Sequence, residues 1–75
     1  MKGPSKSRLA IMLCKKYKKC SRIELIYWLD LGMSTSYSLW GFLKKACVKG
    51  LLDDDKLKCR YDEENDVIIF EEVKQ

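Results

Sequence analysis

The period of the apolar pattern changes once, at Gly50. Upstream, Leu9, Met12, Leu13 and Tyr17, and later Leu39, Leu43, Ala46 and Cys47, recur at the spacings of an α-helix. Downstream, Leu57, Cys59 and Tyr61 alternate with Lys58 and Arg60 at strand period, and a second strand is centred on Val67-Ile68-Ile69-Phe70. A chain that switches period at a residue suited to ending a helix is expected to fold as helices first and a hairpin second, the α+β class. Its 75 residues make one domain. A chain this short buries only roughly 60% of its unfolded surface, which leaves no room for a large catalytic cleft beside the core.

Capping residues divide the helical part into three. Met1 to Ser5 is expected to be a flexible arm, and the single domain spans 6–75. Pro4 and Ser5 mark a helix start, with Ser5 as N-cap, for a first helix over about 6–18. Ser21-Arg22-Ile23-Glu24 fits a capping box that opens a second helix over about 22–31, closed by Gly32 in the left-handed conformation. Ser34 is expected to cap a third helix over about 35–49, ended by Gly50. The hairpin strands fall at about 56–61 and 67–72, with the acidic runs 53–55 and 62–66 read as solvated loops. The second helix is apolar on nearly every side, so it should be buried on more than one face, between neighbours or against another subunit. Trp28, Trp40, Tyr27 and Phe42 read as core aromatics.

Charge splits at the same glycine. Residues 1–50 hold eleven bases against two acids, and residues 51–75 hold four bases against nine acids. The net charge of +4 is therefore the remainder of a +9 part and a −5 part. Basic segments seek phosphate, anionic membrane surfaces or acidic protein. The longest unbroken apolar run, Leu9 to Cys14, is too short to cross a bilayer, and no cleavage site follows it, so an intracellular, cytoplasmic protein without a membrane partner is expected. There is no histidine, no glycine-rich phosphate loop and no nucleophile–base pair. No enzyme, catalytic residue or cofactor is expected.

The four cysteines lack zinc-knuckle spacing, so no metal site is expected. Cys47 and Cys59 fall on core-facing positions and read as buried thiols, with disulfides as the second reading. Cys20, at a helix boundary among lysines, reads as the most exposed of the four and a candidate for an intersubunit bridge. Intracellular disulfides are unusual outside hyperthermophiles. The scarcity of amides, Asn65 and Gln75 alone, permits that origin.

The order helix, helix, tight turn, helix, hairpin resembles a winged helix-turn-helix domain over residues 5–73. The stretch from Ser34 to Leu52 carries the likeness, with Leu43-Lys44-Lys45 followed by Lys49-Gly50-Leu51-Leu52. Small winged-helix proteins of archaea and their viruses are similar in size and composition. The resemblance implies three helices followed by a two-stranded β-hairpin wing, with the third helix in the major groove of double-stranded DNA.

Ser34, Ser36, Tyr37 and Ser38 would supply hydroxyls near the positive helix N-terminus, Gly41 a close approach, and Lys44 and Lys45 positive charge. Lys6, Arg8, Lys18, Lys19 and Arg22 would grip flanking phosphates, and Lys58 and Arg60 are the remaining candidates on the wing strand. The acidic wing tip would repel phosphate. The outward face of the third helix has no arginine, asparagine or glutamine, the side chains of bidentate base contacts, so modest or non-specific recognition is expected. The implied function is a small transcriptional regulator or DNA-organising factor. The alternative is a protein-interaction winged helix serving as accessory subunit of a nucleic-acid-processing complex. The apolar excess of the second helix, with the first, further suggests a homodimer.

Overall fold

The computed structural model describes residues 5–74; Met1 to Pro4 of the expected arm, with the helix-start signal at Pro4, lie outside them. Helix α1, Lys6–Tyr17, starts on the Oγ of Ser5, which accepts the amide of Arg8 at 3.3 Å. It ends one residue earlier than expected, because Lys18 turns left-handed at φ 62°. Its buried face is Ala10 and Cys14, not the stripe of larger side chains; Met12 is 60% exposed and Tyr17 is also exposed. Small residues at positions i and i+4 let α1 lie close on the sheet, and the bulkier Leu9 and Leu13 fall on its flank.

The strand β1, Lys19–Ser21, was not legible in the sequence; three residues are too few to show an alternation. Ser21 closes it and at once caps helix α2, Arg22–Leu29. The N-cap half of the expected capping box forms, with Ser21 Oγ accepting the Glu24 amide at 3.3 Å; the return contact is to the hydroxyl, Ser21 Oγ donating to Glu24 Oε1 at 3.2 Å. The end of α2 corrects the expectation. Asp30, not Gly32, takes the left-handed cap at φ 53°, a conformation that Asp tolerates better than most residues. The early stop turns Leu31 into the core. Gly32 is extended and is itself the N-cap of helix α3, Met33–Val48, which therefore begins without the expected Ser34 cap.

Only Leu25 of α2 is fully buried, while Ile23 is 70% and Tyr27 88% exposed. The helix is thus not buried on several faces. Among the described residues its outer side is uncovered.

Gly50 ends α3 as expected. It is left-handed at φ 78°; its amide reaches the Cys47 carbonyl at 3.0 Å, and the Leu51 amide reaches that of Ala46 at 2.9 Å. These paired bonds are a Schellman closure. The acidic run that follows does more than solvate a loop. Asp53 Oδ1 accepts the Cys59 amide at 2.8 Å, and Asp54 Oδ1 accepts the amides of Lys56 and Leu57 at 2.8 Å.

The hairpin strands are β2, Leu57–Asp62, and β3, Val67–Glu72. The expected two-stranded hairpin is part of a three-stranded antiparallel sheet in the order β1-β3-β2. One sheet face, with Cys20, Ile68, Phe70 and Cys59, is buried beneath the helices, where Leu25, Leu39, Trp40 and Leu43 complete the core.

All four cysteines are in disulfides, correcting the reading of free thiols. Cys14–Cys20 ties α1 to β1 across a Cα separation of 5.2 Å, and Cys47–Cys59 ties α3 to β2 across 5.5 Å. Both separations lie in the usual bridging range. Cys20 is fully buried, because its register opposite Ile68 aims it into the core. It cannot bridge subunits. Among the described residues, no helix is long and apolar enough to cross a membrane.

A candidate nucleic-acid interface on the third helix

Core packing decides which residues of α3 remain outside. Ser36, Leu39, Leu43 and Cys47 face inward, so Ser34, Tyr37, Ser38 and Lys45 form an exposed ridge with Gly41 and Lys44 half-buried along it. Gly41 is notable for what a side chain there would meet. A Cβ atom would find no heavy atom within 4 Å, so the glycine leaves a notch open to the outside. Phe42 and Val48 are exposed on the same helix and extend its apolar surface, correcting the core reading of Phe42.

Ser36 is the second correction. It is only 1% exposed and cannot meet a partner. Its Oγ donates to the Met33 carbonyl at 2.6 Å and accepts from Arg22 Nη1 at 3.1 Å. The signal was present: Ser36 precedes Leu39 by three and Leu43 by seven, which places it on the buried stripe.

Arg22 is consequently drawn away from a free phosphate-gripping role. Its guanidinium carbon lies 4.1 Å from the Tyr37 ring centroid, and Nη1 also approaches Met33 Sδ at 3.8 Å. The first residue of α2 is thereby pinned on the N-terminal half of α3.

The C-terminal half of α3 and the hairpin enclose a shallow groove of about 420 Å³, lined by Lys44, Lys45, Val48, Lys49, Tyr61 and Glu63. Lys44 Nζ lies 5.6 Å from the Tyr61 ring centroid. The acidic hairpin tip is folded back on this side. Asp66, left-handed at φ 54°, accepts Trp40 Nε1 at 3.0 Å and the Tyr61 hydroxyl. The hydrogen bond to Asp66 pushes the Tyr61 phenol up to about 12, and the same bond, with that from Trp40, holds the Asp66 carboxyl below its ordinary range. Asp62 is lowered likewise by bonds from the Asn65 side chain and amide. Two of the tip's acids are thus structural, and Glu63 and Glu64 are left exposed to solvent.

The other candidates are scattered. Lys6 and Arg8 are exposed at the start of α1. Lys18 pairs with Glu72 at 3.4 Å, and Arg60 with Glu71 at 3.5 Å. Lys58 and Arg60 flank the buried Cys59, so they point to the outer sheet face, where Lys19 and Arg60 both oppose Ile69 in register. The fold does not bring them to the α3 ridge. On the outer sheet face Lys58 and Arg60 are offset by Glu71, which opposes the first in register and pairs with the second. Comparison with family models, with curated proteins and with solved structures returns no match.

Proposed function

We propose that this chain is a double-stranded-DNA-binding protein of winged helix-turn-helix type, a small transcriptional regulator or DNA-organising factor, with α3 in the major groove. One observation carries the reading. Lys44 and Lys45 lie on the outer side of α3 and Lys49 at its C-cap, and none of the three salt bridges among the described residues uses them. Cations outside any salt bridge among the described residues, on an exposed helix face beside hydroxyls and an open glycine, suit a phosphate-lined groove that admits an α-helix. The hairpin would act as the wing, its acidic tip held back by Trp40 and Tyr61 rather than thrust at phosphate. Duplex binding at low salt that weakens as salt rises is the expected result; its absence removes the reading.

Ile23 and Tyr27 favour a protein partner in addition. They stand exposed on α2, with Trp28 beside them stacked on Tyr17 of α1 at 5.2 Å. A homodimer through α2 and α1 would cover this face, and an accessory-subunit role would cover it with another protein. Sedimentation of the pure chain separates the two, since a monomer at high concentration excludes the homodimer. A DNA-binding role places the protein inside the cell, and two intact disulfides there fit a hyperthermophilic setting.

A further inference from the structure

We propose that Arg22 is a base-reading residue, supplying from α2 the bidentate arginine that α3 lacks, and that it selects guanine. This inference rests on the DNA-binding reading above. Along its exposed ridge α3 offers serines, a tyrosine, a glycine and lysines; of these only the lysines can contact the guanine edge, and they do so as flexible ammonium groups, without the fixed fork of an arginine. Arg22 lies across that ridge at the Tyr37 ring, 4.1 Å from its centroid. Tyr37 is itself exposed, so the stack is at the surface of the candidate interface.

The guanidinium is oriented and only partly used. Arginine carries five N–H donors in a fixed fork. Here the bonds to Ser36 Oγ and Met33 Sδ both leave from Nη1. Among the described residues Nε and Nη2 make no side-chain hydrogen bond, and together they form the side-on fork that matches O6 and N7 of guanine. Ser36 is buried and fixed by its own bond to the Met33 carbonyl, so the anchor of the fork does not move with solvent. Preorganisation of this kind lowers the ordering cost of recognition. A phosphate could accept the same fork. The position on the α3 ridge, rather than at the flanks of the domain, favours a base inside the groove.

The test is selection from a randomised double-stranded DNA pool by the full-length protein, with affinities then measured on enriched and random duplexes. The wild type should enrich a fixed G·C pair. Arg22→Lys, which keeps the charge and a donor for Ser36 but not the fork, should lose about 5- to 150-fold of discrimination at that pair, the range of a bidentate contact. Its affinity for random duplex should change by less than about threefold. Replacing that guanine by 7-deazaguanine should weaken the wild type by more than it weakens Arg22→Lys, a readout that needs no change in the fold.

Three results overturn the proposal: a wild-type pool without a guanine preference, a preference that survives Arg22→Lys, or, in an uncharged Arg22→Met variant, a uniform loss on all duplexes with a salt slope smaller by about 1, the mark of a phosphate contact. Failure of the wild type to bind any duplex at low salt sinks the DNA reading itself. It is scored before selection and is distinct from the other three.

Discussion

Removing the disulfides one at a time should show how much of this small fold they hold. Cys14–Cys20 closes a loop with a sequence separation of 6, and Cys47–Cys59 one of 12. The chain-entropy relation gives about 2 kcal/mol for the first and about 3 kcal/mol for the second. A 75-residue domain has roughly 4–11 kcal/mol of stability in all. Loss of either bridge should therefore leave a folded protein, and loss of both should take it to the margin. The second bridge should matter more. Its loop is longer, and it is the covalent tie between α3 and β2. Urea unfolding followed by far-ultraviolet circular dichroism, on the Cys14→Ala/Cys20→Ala and Cys47→Ala/Cys59→Ala proteins, measures both values. Equal stability of oxidised and dithiol-reduced protein would refute the reasoning, as would four reactive thiols in denaturant without reductant.

Three further outcomes follow from individual side chains. Gly41→Ala should stabilise α3 by about 1 kcal/mol, since the added methyl meets nothing, and raise the Tm by roughly 4–8 °C. The same methyl should lower duplex affinity by about tenfold if a partner's backbone enters the notch, read by calorimetry and DNA titration together. The Tyr61 phenol is raised to about 12 by its bond to Asp66. The associated stability is present below pH 10 and is lost as pH rises from there through about 12; Tyr61→Phe should delete the late step of an ultraviolet absorbance titration. Asp54 is lowered to about 2, first by its bond from Lys15 at 2.8 Å and then by the amides of Lys56 and Leu57. Its contribution is present above its ordinary value near 3.8 and is lost as pH falls toward 2, so Asp54→Asn should flatten the acid limb of a stability profile, and less so at high salt.

Local features were the legible ones. The Ser21–Glu24 cap and the glycine closure at Gly50 each involve residues a few positions apart, and both stand where the pattern placed them. Features set by distant neighbours were not. Strand β1 exists because β3 offers it an edge, and Cys14 pairs with Cys20 because that edge places them together. The buried face of α1 is not legible from side-chain size, because close approach to a sheet selects the small Ala10 and Cys14. The candidate site was legible in the lysines of α3. Arg22 is legible in the sequence as a cation, but its place on Tyr37 is not, since that is a contact between two helices.

The account depends most on α3 and its lysines. A duplex-binding titration across salt, on the wild type and on a Lys44→Ala/Lys45→Ala/Lys49→Ala variant, tests that directly. Three phosphate contacts give a slope of about −2.7 in log affinity against log salt, a loss of about 40-fold between 50 and 200 mM. The wild-type slope should be at least that steep, and the variant's should be shallower by about 2.7. A variant that binds with the same slope and affinity as the wild type would contradict the docking of α3, and a wild type that does not bind at low salt would contradict the DNA-binding role altogether.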